Sequence, residues 1–186
     1  MQNPGPGVER LGPRLWRIID RGGRAYALRP IAPTDAPALQ RAFAAQDPED
    51  RRLRLRSAMP RLSDRMARQF CTFDPVQDVV YVLVPEVAPN TLAGGARVMR
   101  DVPGANRGEY AISLASTLKG MGLGRAVLGT VLQAAAEIGI TEIWGTVARR
   151  NHGMRRLAEK LGMKERADAD DPRSVITEIT LTRPHP

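Results

Sequence analysis

The 186-residue chain is poor in the residues that build disulfides, metal centres and membrane spans. Cysteine occurs once, at Cys71, which excludes an intrachain disulfide and a cysteine-based metal cluster. Histidine occurs only at His152 and His185, too few to assemble a metal site with that lone thiol, so no metal is expected. No apolar run approaches the ~20 residues of a bilayer-spanning helix. The first residues, MQNPGPGVERLGPR, lack the apolar stretch of a secretory signal. A soluble cytoplasmic protein with no membrane partner is therefore expected. Aromatic residues are 4% of the chain, which leaves little material for base-stacking platforms and argues against nucleic acid as a partner. Lysine is scarce too, present only at Lys119, Lys160 and Lys164, so the net charge of +8 is carried almost wholly by arginine. A charge of that sign points to an anionic partner, with a phosphorylated cofactor or an acidic protein as the candidates.

What is present suffices for one ordinary domain, since 42% of the residues are hydrophobic. Residues 1–23, with Pro4, Gly5, Pro6, Gly7, Gly12 and Pro13, read as a flexible N-terminal extension, and residues 24–186 as the domain. The runs Leu15–Asp20 and Arg24–Pro30, separated by Arg21-Gly22-Gly23, also fit a hairpin. Thr34 or Asp35 can cap a first helix, in which Leu39, Ala42 and Phe43 recur at helical spacing. Asp47-Pro48-Glu49-Asp50 opens a second helical stretch into RRLRLR. A third covers Ser63–Phe70, with Leu62, Met66 and Phe70 along one side. Strands are expected at Val79–Val84, Thr91–Arg100 and Glu109–Ala115. In the last, Tyr110, Ile112 and Leu114 share one face, and Glu109, Ala111 and Ser113 the other. A glycine-led helix stopped by Gly139, a strand at Ile140–Val147, a helix at Asn151–Leu161 and a strand at Val175–Leu181 complete the chain. Three successive strands suggest an antiparallel meander, and the strand–helix–strand unit after it a parallel crossover. The fold class is α/β, a mixed sheet with helices on its faces.

The most informative segment is Lys119-Gly120-Met121-Gly122-Leu123-Gly124-Arg125. Glycines allow a positive φ and close approach of backbone N–H groups to a ligand. A helix N-terminus adds unsatisfied donors and partial positive charge, which together suit a pyrophosphate. The phosphate loop that ends Gly-Lys-Ser/Thr is excluded, because this one ends Gly124-Arg125-Ala126. The G-x-G-x-x-G dinucleotide fingerprint fails on spacing and on place, since it belongs to the first βα turn of a parallel sheet. A glycine-rich turn without ligand stays open at this point.

These residues resemble the GNAT N-acetyltransferase family, whose loop reads Q/R-x-x-G-x-G/A, with Lys119 here in the first position. Asn151 after the next strand, and Leu161-Gly162-Met163 at the end of the next helix, match two further family positions, with Met163 in place of phenylalanine. The resemblance runs over residues 26–181 and is strongest from Glu109 to Met163. It is closer still to the acetyltransferase domain of bacterial Pat-type protein-lysine acetyltransferases, through Gly108-Glu109-Tyr110-Ala111, the stretch RRLRLR…LSDRMARQF and Asn151-His152-Gly153-Met154. Met121 departs from that pattern, where arginine is usual.

The resemblance implies a GNAT acyl-CoA N-acyltransferase fold, an antiparallel meander followed by a splayed parallel strand pair. It implies acetyl-CoA as co-substrate, held by Ile112, Ser113 and Leu114 along the strand, by Lys119, Gly120, Met121, Gly122, Leu123, Gly124 and Arg125 in the loop, and by Asn151. It implies acetyl transfer to a primary amine, with a protein bearing an accessible lysine as the partner. A small-molecule amine, or a non-catalytic acyl-CoA-binding or basic interaction module, are the alternatives. Monomer and homodimer are both open. An attacking lysine must shed its proton from a pKa of ~10.4, so a base is needed, and Glu109 is the candidate. Ala158 stands where many family members place a tyrosine acid. His152 reads as a residue at a helix start, Cys71 as packing, and Trp16 and Trp144 as core or edge packing. Arg51, Arg52, Arg54 and Arg56 form either a solvated face or a docking surface. The Pat-type pattern places Asp74 and Asp78 beside the acceptor.

Overall fold

The computed structural model describes residues 7–46 and 61–183. The helical stretch expected from Asp47 through the arginines 51, 52, 54 and 56 lies outside the described residues, as does His185. Strands are β1 (Gly7–Gly12), β2 (Leu15–Ile19), β3 (Ala25–Pro30), β4 (Val79–Pro85), β5 (Gly94–Arg100), β6 (Arg107–Leu114), β7 (Glu142–Ala148), β8 (Lys164–Ala167) and β9 (Ser174–Thr180). Helices are α1 (Ala36–Ala44), α2 (Asp64–Phe70), α3 (Leu123–Glu137) and α4 (His152–Lys160). The strands form one sheet in the order β1-β2-β3-β4-β5-β6-β7-β9-β8. Neighbours pair antiparallel from β1 to β6, β6 pairs parallel with β7, and β9 pairs antiparallel with both β7 and β8. This is the meander and crossover expected.

The extension expected over residues 1–23 is paired sheet from Gly7 onward, with Val8 opposite Ile18 and Arg10 opposite Trp16. Its glycines and charges concealed a strand stabilised from outside. The Arg10 guanidinium lies 5.5 Å from the centre of the Trp16 ring and pairs with Glu137 on α3 at 3.3 Å. Strands β2 and β3 form a hairpin across residue 24 within the same sheet.

The alternation of each strand gives the sheet two faces. One face carries Ile18, Leu28, Leu83, Val98, Tyr110 and Ile143 against Val127, Leu128, Val131 and Ala135 of α3. Those helix positions recur at i, i+1, i+4 and i+8, which is one stripe of an α-helix. Each large side chain buried there stabilises the fold by ~1.5–3 kcal/mol, so this face holds most of the core. The helix stops as expected at Gly139. Ile140 donates its N–H to Ala135 and Gly139 to Ala136, a Schellman closure.

The opposite face has a smaller cluster of Ile31, Ala36, Ala67, Cys71, Val82 and Val84. Of the stripe expected along α2, Leu62 is buried and Met66 half-buried, but Phe70 is 40% exposed; Ala67, and Cys71 just after the helix, turn inward instead. Small residues at those positions let α2 lie close to α1. Ser63 caps α2 by accepting from the Met66 N–H. Asp35 does not cap α1 with its side chain. Its carboxylate accepts from the Ala32 N–H at 2.8 Å and from both terminal nitrogens of Arg29 at 2.7 and 2.9 Å, tying β3 to the start of the helix. Strand β8 was not expected. All four of its residues are exposed and three are charged, so it has no alternation to read. No helix among the described residues is long and apolar enough to cross a membrane.

Candidate active site

Parallel pairing of β6 with β7 lasts three residues: Arg107 with Glu142, Gly108 with Ile143 and Glu109 with Trp144. Beyond Glu109 the strands part, while β6 stays paired with β5 as far as Leu114. Tyr110 marks the fork. Its ring lies against Gly145, so closely that a Cβ at position 145 would sit 2.6 Å from the ring. The Thr177 hydroxyl donates to the Gly145 carbonyl, and it therefore accepts from the Tyr110 hydroxyl at 2.6 Å. Burial raises the Tyr110 pKa above the usual tyrosine range. The bond to Thr177 opposes that shift and the charge of Glu109 adds to it. The phenol is thus neutral, buried and committed to Thr177.

The fork leaves one edge of β6 open, and the register identifies its donors and acceptors. Ala115 donates to Ala93, and Asp101 donates to Arg107. The odd-numbered residues of β6 therefore turn their N–H and C=O groups toward β5. Those of Ile112 and Leu114 turn the other way, toward the side that β7 has left. Ser113, expected with them, is different. Its main chain bonds to β5, and its hydroxyl accepts from the Gln46 side-chain amide at 2.7 Å on the opposite face.

The chain then passes through a short turn at Ser116–Leu118 into the glycine loop. Gly120 and Gly122 have φ of +80° and +81°. A Cβ at Gly120 would meet nothing within 4 Å, so backbone conformation, not space, requires glycine there. Gly122 begins α3 without any side-chain cap. No described carbonyl accepts from the N–H groups of Gly122, Leu123, Gly124 and Arg125, and the dipole of this 15-residue helix adds about half a positive charge at that end. Lys119 and Arg125 are exposed beside them. The other residues serve packing. Leu123 is fully buried, Met121 packs against the core, and Gly124 is small because Leu157 of α4 would lie 3.3 Å from its Cβ. The arrangement suits an anion next to an open strand edge.

Glu109 occupies the last paired position before the fork, on the face away from α3, and is exposed. Within the described residues its carboxylate makes no hydrogen bond or ion pair. Beside it the Trp144 indole N–H donates to Asp101 at 2.9 Å. Arg107 lies 5.1 Å from the Trp144 ring centre and pairs with Asp101 at 3.2 Å. Sequence reasoning missed this cluster, since nothing local links residues 101, 107 and 144.

Asn151 is brought to the same end of the sheet by β7, where its side-chain oxygen accepts from the Met154 N–H at 3.0 Å. That makes it the cap of α4, a structural task that uses the oxygen of its side chain and not the amide hydrogens. Asp74 accepts from the Val76 N–H within its own turn, and Asp78 accepts from the Arg100 N–H at the end of β5. Cys71 is buried, and burial first, then the charge of Asp35, pushes its thiol up to about 11, so it is no nucleophile at neutral pH. His152 is exposed at the first position of α4 and Ala158 is buried within it.

Residues 26–164 match the sequence profile described as the acetyltransferase (GNAT) domain. The structure is similar to the GNAT domain of S. lividans PAT, with a TM-score of 0.83 and 22% identity over 93% of this chain and 100% of that one. It is also similar to RimL, a ribosomal L7/L12 alpha-N-protein acetyltransferase solved with coenzyme A, with a TM-score of 0.69 and 13% identity over 96% of this chain and 100% of that one. A GNAT-family acetyltransferase from Streptococcus pneumoniae gives a TM-score of 0.64 and 19% identity over 84% of this chain and 99% of that one.

Proposed function

This chain belongs to the GNAT acetyltransferase family, and we propose that it transfers the acetyl group of acetyl-CoA to a lysine side chain of a protein, with Glu109 as general base. One observation carries the reading. Glu109 stands at the fork itself, one residue before β6 acquires its open edge.

The donor set fits a long, phosphate-bearing thioester. The main-chain groups of Ile112 and Leu114 can pair with an amide-containing arm as a missing strand would. The N–H groups of residues 122–125, with Lys119 and Arg125, offer a diphosphate both hydrogen bonds and charge. Asn151 offers its amide from the facing helix. Acetyl-CoA supplies the activated acyl group. The protein must supply a neutral amine, and only about one free lysine in a few thousand is neutral at pH 7. A carboxylate within hydrogen-bond reach of the amine, directly or through one water, removes the proton as attack proceeds. Among the described residues Glu109 has no partner to displace first. No tyrosine of α4 is available to protonate the departing thiolate, which is a good enough leaving group to depart unassisted.

One similarity favours a protein acceptor over a small amine: RimL is by its own description an alpha-N-protein acetyltransferase. The test has two arms. Thermal stability should rise with acetyl-CoA concentration. The absence of any shift at millimolar ligand defeats the cofactor reading. Isotopically labelled acetyl-CoA should then place label on lysine side chains of proteins, read by mass spectrometry. Label found only on polyamines, amino acids or other small amines overturns the protein acceptor and leaves the cofactor reading intact.

A further inference from the structure

The turn between β2 and β3 belongs to neither the fork nor the glycine loop, yet it touches the loop directly. Strand β3 runs antiparallel to β6 through three successive reversals, so the start of β3 and the finish of β6 lie at one end of the sheet. The Arg21 N–H donates to the Met121 carbonyl at 3.3 Å, and the Arg21 guanidinium donates to the Gly120 carbonyl at 3.3 Å. A Cβ at Gly22 would lie 3.0 Å from the Met121 methyl group. The turn presses on the loop along its whole middle.

The turn is also firmly built. The Asp20 side chain is wholly buried, and its carboxylate accepts from the N–H groups of Gly22 and Arg24 at 2.8 and 3.0 Å, the Arg24 side chain at 2.9 Å and the Tyr26 hydroxyl at 3.2 Å. A buried carboxylate with that many donors fixes the chain around it. Its effect passes to the loop. In a planar trans peptide the C=O and N–H point in opposite directions. Holding the Met121 carbonyl toward the hairpin therefore turns the Gly122 N–H away from it, while the Met121 N–H is already taken by Leu118. Met121 is apolar and packed on the core, so the centre of the loop has no charge of its own. Arg21 brings one there from another part of the chain.

We infer that Arg21 is a binding residue for the diphosphate of the acyl-CoA substrate, its guanidinium completing the positive rim begun by Lys119 and Arg125. This rests on the acetyl-CoA reading above. The test compares Arg21→Gln and Arg21→Lys with the unaltered protein in three measurements: CoA affinity by calorimetry at low and high salt, unfolding temperature without ligand, and turnover with acetyl-pantetheine, which lacks the diphosphate. A charge-assisted contact of this kind gives Arg21→Gln roughly a tenfold loss of CoA affinity and a shallower salt dependence. Arg21→Lys should recover part of the affinity. Acetyl-pantetheine turnover should fall by clearly less than turnover with acetyl-CoA in either variant. Unaltered CoA affinity in Arg21→Gln overturns the inference. Equal losses with CoA and acetyl-pantetheine also overturn it, because Arg21 would then be shaping the site without reading phosphate. Failure of the unaltered protein to bind CoA is a different result, and it removes the acetyl-CoA reading itself.

Discussion

Strand β6 presents Tyr110, Ile112 and Leu114 to α3 and the main core, while Glu109, Ala111 and Ser113 lie on the other side of the same seven peptides. The first set is buried or half-buried and apolar, apart from one phenol with a fixed partner. The second begins with an exposed carboxylate that has none among the described residues. The inner side chains hold the fork open and fix which main-chain groups are left unpaired. On the function proposed above, Glu109 of the outer set faces the acceptor. Because side chains alternate while main-chain groups point sideways in the sheet plane, one strand can do three jobs without conflict. The division makes a clear demand: damage to the inner face should appear as lost stability, and damage to the outer face as lost turnover.

The largest effect is expected from Glu109→Gln. The substitution keeps shape and polarity but cannot accept a proton, so turnover should fall ~10²–10⁴-fold, the usual worth of a positioned base. CoA affinity and unfolding temperature should match the unaltered protein. Steady-state kinetics across pH beside a calorimetric titration will decide it. Full turnover in the variant at every pH would sink the assignment of Glu109.

Gly145→Ala strikes the inner face at the fork. The new methyl group would lie 2.6 Å from the Tyr110 ring, a contact that real structures do not tolerate, so either the ring or β7 must move. Overpacking of this sort costs about 1–3 kcal/mol and should lower the denaturation midpoint accordingly. If turnover falls far more than stability, the two faces are coupled through Tyr110 and the division is less sharp than the register suggests. Gly122→Ala comes next. A φ of +81° costs a residue with a side chain about 1–2 kcal/mol, and the same strain should weaken CoA binding because the cradle begins there. Measuring both on one sample shows how much of the strain is relieved by moving the loop.

The sequence made the loop, the long helix and the two faces of β6 legible, because each depends on local spacing: glycines before an apolar stripe, and alternation over eight residues. What it hid depends on partners distant along the chain. Ser113 was expected to hold cofactor with Ile112 and Leu114, and only the register with β5 shows that its peptide groups are already used. The position of Glu109 at the fork is set by where the pairing with β7 stops, which no pattern within 107–114 reveals. Strand β1 was concealed by glycine and charge, and the contact of Arg21 with the loop is a product of topology. Asn151 was legible as a special residue at a helix start, yet its cap bond to Met154 explains the same asparagine without a ligand.

The smallest expected effect is the most discriminating about the inner face. Tyr110→Phe keeps the ring against Gly145 and removes only the hydroxyl that donates to Thr177. Thr177 retains its own bond to the Gly145 carbonyl at 3.3 Å, so the loss is one buried hydrogen bond, about 1 kcal/mol of stability. With the wedge in place, the open edge at Ile112 and Leu114 should persist and CoA affinity should hold. Turnover should hold as well, since the phenol is buried, committed to Thr177 and on the face opposite Glu109. A fall in turnover of tenfold or more at unchanged CoA affinity would mean that the phenol takes part in the chemistry. In that case the alternation of β6 separates structure from catalysis less completely than its burial pattern indicates, and the proton path would have to cross the strand at residue 110.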